Sequence, residues 1–359
     1  MKIQAAITRD STSPFELEEI EIKEPKANEV LVRIVASGVC HTDATARDLS
    51  MVPFPAVLGH EGSGIVEKVG SNVTTVAPGD HVVLSFASCG HCENCLSGMP
   101  AYCLDFMKLN FAGVMADGES PLHQHGERLS NFFGQSSFAT YAIASERSVV
   151  KVDKDVDLAL LGPLGCGIQT GSGTVFNTLQ PKFGETIAIF GAGGVGLSAV
   201  MAANIIGCSK IIVLDIVDSR LELAKELGAT HVINTKEMDA VEEIRKLTGY
   251  GVNYTLDTTG IPFILSQAVE ALKPLGTAAF VVSAPDLSKS QTFSLGKRVV
   301  SGIEGDAVPQ LFIPQLIEYY KQGRFPFDKL VKFYEFSRIN EAFADSKSGV
   351  TVKPIIKMG

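Results

Sequence analysis

Positive charge is in short supply in this chain. Its 359 residues carry 31 Lys and Arg against 40 Asp and Glu, a net charge of −9. That balance gives no support for nucleic-acid binding, which needs a basic patch. A sustained apolar run is also missing from the first ten residues: Met1 to Asp10 include Lys2 and Arg9. No secretory signal is therefore expected, and the expected compartment is the cytoplasm. In that reducing setting the seven cysteines are expected as thiols or metal ligands, not disulfides. Tryptophan is absent, which decides nothing about function, and there is no internal repeat or low-complexity tract. The length favours two domains, each able to bury its own core.

One charge-free stretch, Thr186 to Ser209, is long enough to cross a bilayer. Its interior argues otherwise. An apolar strand, Ile187-Ala188-Ile189-Phe190, turns on Gly191-Ala192-Gly193-Gly194-Val195-Gly196. A helical segment follows from Leu197 to about Ile206, and a second apolar strand, Lys210 to Leu214, ends on Asp215. This is G-x-G-x-x-G between a strand and a helix, with an acid 24 residues after the first glycine. Gly191 permits the tight turn, Gly193 lets backbone approach a pyrophosphate, and Gly196 lets the helix pack closely. Gly194 and Val195 belong to the same turn, and the N-terminus of the helix that follows offers free N–H groups to phosphates. Asp215 can accept hydrogen bonds from both adenosine ribose hydroxyls and would repel a 2′-phosphate, which favours NAD over NADP. Alone, the hexad also reads as a structural turn; the flanking strands and the spaced acid favour the dinucleotide. No membrane partner is expected.

Cys89, Cys92, Cys95 and Cys103 form C-x2-C-x2-C-x7-C. Four thiolates so close in sequence can converge tetrahedrally on one zinc, leaving no open position, so the expected role is structural. The alternative, buried free cysteines, fits poorly, because four cysteines in fifteen residues make a poor core cluster. His91, His123 and His125 read as surface or loop residues, and Phe132 and Phe133 as packing. Cys40, His60 and Cys166 lie far apart, each at a strand end or a glycine-flanked turn. Spacing leaves two readings for them: three unrelated residues, or two thiolates and an imidazole forming an open zinc site with water in fourth place.

Up to about Pro163 the pattern is of many short strands with Gly and Pro punctuation, a mostly β domain. Residues 104–137 read as loop. From Gly167 to Gly302 strands and helices alternate: a helix at Ser219–Gly228, a strand at His231–Asn234, a helix at Ala240–Thr248. A strand at Tyr254–Asp257, a helix at Phe263–Leu272 and a strand at Thr277–Val282 follow. Ser283 to Ser294 read as a connecting loop. The repetition gives a doubly wound parallel sheet, an α/β fold of the Rossmann kind. The tail carries a helix at Pro309–Gln322 and a closing strand near Thr351–Ile356, expected to rejoin the first domain. The expected division is 1–166, 167–302 and 303–359.

Together these pieces resemble the zinc-dependent medium-chain alcohol dehydrogenases over nearly the whole chain. The motifs are Gly59-His60-Glu61-x2-Gly64-x5-Gly70-x2-Val73, Gly38-Val39-Cys40-His41-Thr42-Asp43 and Leu164-Gly165-Cys166-Gly167-Ile168-Gln169-Thr170-Gly171. Within the family, Cys-His-Thr-Asp, Gly-Cys-Gly-Ile-Gln-Thr-Gly, Gln135-Ser136-Ser137-Phe138-Ala139 and Phe325 to Tyr334 are most similar to the aryl-alcohol (benzyl-alcohol) dehydrogenases. The resemblance implies a GroES-like catalytic domain beside the Rossmann domain. It makes Cys40, His60 and Cys166 ligands of a catalytic zinc, with Asp43 orienting His60 and Glu61 behind the metal. Thr42 becomes the hydroxyl that hydrogen-bonds the alcohol. Thr170, Val195 and Val282 would line the nicotinamide, Arg220 would flank the adenine ribose, and His41 and Lys353 would contact the pyrophosphate. Cys208 is left as a core residue. Thr45 stands where many relatives carry a proton-relay histidine.

The expected activity is NAD-dependent, zinc-dependent, reversible oxidation of primary aryl or allylic alcohols to aldehydes. Two zinc ions per chain and a homo-oligomer, dimer or tetramer, are expected with it. The competing expectations are a glutathione-dependent formaldehyde dehydrogenase and, in a different class, a nucleotide-binding redox sensor without turnover.

Overall fold

Runs of Val and Ile broken by Gly and Pro build the first unit from two sheets. The computed structural model describes residues 1–282 and 295–359; the expected connecting loop Ser283–Ser294 lies outside the described residues. One sheet orders Ala56–Val57, Lys2–Thr8, Glu16–Ile22, Leu122–Gln124 and Glu127–Arg128. The other orders Val149–Val152, His81–Leu84, Gly62–Val69, Glu29–Gly38, Lys353–Lys357 and Val331–Glu335, with Tyr141–Ser145 also on Glu29–Gly38. The last strand of the chain thus pairs with the strand that leads into Cys40, in the antiparallel register Ile355 to Gly38. One buried core includes Val32, Leu58, Val82, Phe132 and Phe138, and a second joins Ile3, Ile7 and Ile20 of the first sheet to Leu31 and Ile143 of the other.

Among the described residues the second unit holds six parallel strands. Their order is His231–Asn234, Lys210–Asp215, Thr186–Phe190, Val252–Asp257, Leu272–Phe280, Arg298–Ser301. In chain order that is 3-2-1-4-5-6, the doubly wound arrangement, which reverses direction beside Thr186–Phe190. The stretch weighed as a membrane span is this first strand and the helix Gly194–Ile206. Among the described residues no helix is long and apolar enough to cross a membrane.

The first unit comprises Met1–Cys166, Val308–Leu316 and Asp328–Gly359; the second comprises Gly167–Ala307 and Ile317–Phe327. The sequence division at 302 is therefore displaced. Residues 303–307 stay with the second unit, and so does Ile317–Phe327, where Tyr319 stacks on Phe176 with ring centres 5.9 Å apart. One further reading changes. Residues 104–137 are not loop throughout: they contain the helix Phe106–Phe111 and a hairpin turning on His125 and Gly126, both at positive φ. A helix at Gly167–Gly173, continued by a π turn at Thr174–Leu179, falls where three glycines mask helical periodicity.

Three glycines of the nucleotide-type turn have different physical jobs. Gly191 has φ of 95°, and a methyl group at Gly196 would run into the Gly191 carbonyl oxygen. A methyl group at Gly193, where φ is −81°, would meet nothing within 4 Å. Gly196→Ala should therefore destabilise the chain by about 1–3 kcal/mol through overpacking, whereas Gly193→Ala should leave stability unchanged. Urea melts of the two variants check this; equal midpoints would remove the structural reason for Gly196.

Candidate metal and dinucleotide sites

Three segments of the first unit converge. Cys40 precedes the helix His41–Asp48 as its N-cap. His60 follows Gly59, whose φ of 91° turns the chain out of the short strand Ala56–Val57. Cys166 closes the 3-10 turn Gly162–Gly165, which is fixed by Ser85 Oγ donating to Gly165 O at 2.7 Å. One ligand atom each from Cys40, His60, Glu61 and Cys166 lies within 4.8 Å of the others. Convergence, which spacing left open, is thus found.

The buried carboxylate of Asp43 holds two of the three. Its Oδ1 is 2.8 Å from His60 Nδ1 and accepts from Gly59 N at 3.1 Å, while Oδ2 accepts from Cys40 N at 3.1 Å. With Nδ1 committed, His60 Nε2 is the ring atom left over, and it is buried with no hydrogen-bond partner. An orphaned buried nitrogen among two sulfurs fits a metal ion. The electrostatics agree. The Cys40 thiol is held well below its ordinary pKa, first by hydrogen bonding with Cys166 and then by the charges of His60 and Lys353. Burial opposes protonation of His60, yet the Asp43 and Cys40 charges raise its pKa well above the usual value. A position that attracts a proton this strongly attracts a metal cation for the same reason.

The surroundings are dry and aromatic. The Phe133 ring centre is 4.6 Å from that of His60, and Phe132 meets it edge-on at 5.6 Å. Read from sequence as packing only, these two rings in fact pack on the candidate ligand. Gln135, part of the stretch that resembles the aryl-alcohol dehydrogenases, uses its amide here. Its Nε2 donates to His60 O at 3.0 Å, and its Oε1 accepts from Gly62 N at 3.2 Å. A buried Gln between two glycine-flanked segments is the signal that could have marked it.

Lys353, expected at a cofactor pyrophosphate, is 5% exposed, and in this structure its ammonium lies 3.0 Å from both oxygens of Glu61. Its place in the C-terminal strand beside Gly38 puts it against Glu61. His41 is exposed and Thr42 half-buried in the first turn of their helix.

Cys89, Cys92, Cys95 and Cys103 bring their sulfurs within 4.8 Å of one another. Backbone N–H groups are aimed at them: Cys89 N donates to Cys103 Sγ at 3.2 Å and Cys92 N to Cys89 Sγ at 3.3 Å. Hydrogen bonds from the Leu104 and Cys95 backbone lower the Cys92 thiol to about 6, while burial pushes Cys103 up to about 12. All four can ionise together only around a cation. His91 is exposed, as read, with Nδ1 3.0 Å from Cys89 O.

In the second unit, Gly193 caps the helix whose first residues are Gly194, Val195 and Gly196. The open space at Gly193 is a cradle a side chain would fill, and it fits a pyrophosphate. Asp215 is half-buried at the end of the neighbouring strand. Its Oδ2 accepts from Ala192 N at 2.6 Å, and its Oδ1 from Ile216 N and Val217 N at 2.7 and 2.9 Å. The acid is thus first a brace for the glycine turn, and Oδ2 keeps a lone pair for a ribose hydroxyl. Arg220 is half-buried, with an Nε that has no hydrogen-bond partner. Thr170 and Val195 are half-buried, and Val282 is 55% exposed. Cys208 is buried, as expected, and burial lifts its pKa to about 11.

Comparison with known proteins follows this geometry. Residues 194–304 match the zinc-binding dehydrogenase family and residues 26–154 the alcohol dehydrogenase GroES-like domain. The chain is 47% identical over 367 residues to the geraniol dehydrogenase of Castellaniella defragrans, covering 98% of this chain and 97% of that protein. It is 36% identical over 372 residues to the S-(hydroxymethyl)glutathione dehydrogenase of Saccharomyces cerevisiae, covering 99% and 96%. The solved benzyl alcohol dehydrogenase of Acinetobacter calcoaceticus is similar with a TM-score of 0.95 and 50% identity, covering 100% of each chain.

Asp43→Asn tests the bracing of the Cys40–His60 pair. An amide cannot accept from three donors as the carboxylate does, and its NH2 would face the Cys40 N–H. Zinc affinity should fall about 10–100-fold, the usual effect of removing a partner of a metal-ligating histidine. Chelator competition at fixed pH measures it; unchanged affinity would mean that Asp43 is only a helix cap.

Proposed function

The chain belongs to the zinc-dependent alcohol dehydrogenase family, and from that premise we propose that it oxidises primary aryl or allylic alcohols reversibly to aldehydes, with NAD as acceptor. The observation that carries this reading is the buried, unpartnered His60 Nε2 among Cys40 and Cys166, with Phe132 and Phe133 packed on the ring. A zinc ion held by Cys40, His60 and Cys166 would make an alcohol hydroxyl more acidic, and bound NAD would be the hydride acceptor.

The chain's own residues do the rest. Asp43 holds His60 and Cys40 in place. Thr42 Oγ1 would accept the hydrogen bond of the alcohol and, as it gains that proton, give up its own hydroxyl proton to solvent, so the reacting oxygen is oriented before hydride leaves. The phenylalanine rings keep water from the ligands and give an aromatic or isoprenoid group an apolar wall. Thr170, Val195 and Val282 line the nicotinamide, the turn Gly191 to Gly196 holds the pyrophosphate, and Arg220 flanks the adenine ribose. His41 is assigned to the pyrophosphate as well. Asp215 rejects a 2′-phosphate by like charge, which sets NAD above NADP. A second zinc belongs to Cys89, Cys92, Cys95 and Cys103, with no position open to substrate. The same reading carries a cytoplasmic homo-oligomer, dimer or tetramer.

Metal analysis should give two zinc ions per chain. Cys166→Ser should remove about one of them and abolish turnover while the fold survives, because the open site is separate from the closed one. Cys95→Ser should instead lower the melting temperature. One zinc in the wild type would sink the two-site reading.

A substrate panel with NAD tests the chemistry. Burial of a ring or isoprenoid chain contributes about 25 cal/mol per Å², which ethanol cannot recover. Benzyl, cinnamyl or geranyl alcohol should therefore exceed ethanol in kcat/KM by roughly a hundredfold or more. Preference for formaldehyde with glutathione would replace the aryl reading. No NADH from any alcohol would favour a sensor.

A further inference from the structure

The chain enters the second unit at Gly167 and leaves it after Ala307. On entry, the helix Gly167–Gly173 passes straight into a π turn, Thr174–Leu179, a feature frequent at functional sites. Before leaving, Glu304, Gly305 and Asp306 take successive left-handed φ values of 52, 65 and 52°. Two of the three carry a Cβ, for which that conformation is costly, so it persists only where the surroundings hold it.

Holding contacts come from the entry helix and its π turn. Gln169 Nε2 donates to Glu304 Oε2 at 2.9 Å. Asn177 Nδ2 donates to Gly305 O at 2.9 Å, and Thr178 Oγ1 to Asp306 Oδ2 at 2.6 Å. A methyl group on Gly305 would strike the Gln169 carbonyl oxygen and lie 3.1 Å from that of Thr170; one on Gly173 would strike Gly305 O. Turn and helix therefore meet backbone to backbone. Gln169 and Glu304 are both buried, so their hydrogen bond is made in a low-dielectric setting where losing it is expensive. Thr170 sits between the two places gripped by the turn, Gln169 and Gly173. Its own carbonyl accepts from Thr174 Oγ1 at 2.7 Å.

We propose that Glu304, acting through Gln169 and the left-handed turn, is the positioning residue that sets Thr170 against the nicotinamide ring. The proposal rests on the assignment of Thr170 to that ring. Glu304 is itself no catalytic residue. It fixes the backbone of the helix on which Thr170 is mounted, and a loosened helix would let the ring drift from hydride-transfer geometry.

The test uses zinc-loaded enzyme with NADH titrations and the kinetic isotope effect on kcat for α-deuterated benzyl alcohol. Glu304→Ala and Glu304→Asp should weaken NADH binding by about tenfold, the effect of losing one charge-assisted hydrogen bond. They should also raise the isotope effect as hydride transfer slows. Glu304→Gln should restore both values, since its amide oxygen still accepts from Gln169. If the alanine variant does not fold, the aspartate variant decides. On a Thr170→Ala background, Glu304→Asp should add little, because the two act as one unit. A merely structural Glu304 would lower the melting temperature and leave NADH affinity and isotope effect per zinc-loaded site unmoved, which overturns the proposal. Full additivity with Thr170→Ala overturns it too. A wild type that binds no NADH sinks the dinucleotide reading itself, a result distinct from a binding wild type with unaffected variants.

Discussion

One buried carboxylate organises the candidate metal centre. Asp43 lies against three donors from three places: the His60 ring, the Gly59 backbone and the Cys40 backbone. Each bond is local chemistry, but the sum is geometric. Cys40 caps the helix that carries Asp43 as its third residue, so one helical turn fixes a thiol, the Thr42 hydroxyl and the brace for the imidazole. A buried carboxylate without partners is costly; with these three it is satisfied and it orders the ligands. What lies further out is arranged to keep that turn where it is. The C-terminal strand pairs with Gly38, Val39 N donates to Pro354 O at 2.9 Å, and Gln135 ties His60 to Ser85.

The two cysteine-bearing clusters differ in a way that follows from how their ligands are delivered. Four sulfurs within one short loop need only that loop to close on itself, and backbone amides aimed at sulfur do the closing. Such a set is complete without the rest of the protein. The other set takes ligands from three distant segments, so the whole unit must fold before it exists. That dependence lets the fold shape the remaining side of the site, with phenylalanine rings against the imidazole. A loop-borne cluster has no such wall to offer.

Legibility in the sequence tracks the same distinction. The four-cysteine loop and the glycine turn with Asp215 are local patterns, and residue types at fixed spacing are enough to read them. The strands and helices of the parallel sheet are local too, and His231–Asn234 and Ala240–Thr248 fall where the pattern puts them. Cys40, His60 and Cys166 were readable only through resemblance, since convergence is a property of the sheets. Phe133 and Gln135 escaped because a buried ring or amide has the same signature whether or not it touches a ligand. The helix Gly167–Gly173 escaped because its glycines serve close approach, Gly171 to Val195 and Gly173 to Gly305, rather than helix propensity. Residues 303–307 were misassigned for the same reason: a backbone contact leaves no side-chain pattern.

Lys353 shows how charge closes the account. Burying Glu61 beside two sulfurs that must ionise to hold a metal would concentrate negative charge in a medium that screens it poorly. Lys353 answers it from the last strand, buried with its ammonium on both Glu61 oxygens and on Val39 O at 3.3 Å. The Glu61 charge raises the lysine pKa against the effect of burial, so the pair stays ionised and cancels. A zinc ion with two thiolates and a neutral imidazole is likewise neutral overall. The buried site is then left with one net charge, that of Asp43, and this is the charge distributed over three hydrogen bonds. Moving the lysine away would leave Glu61 uncompensated beside the sulfurs, and breaking a buried pair in that way is strongly unfavourable. The charge balance of the cluster therefore explains why Lys353 is held against Glu61.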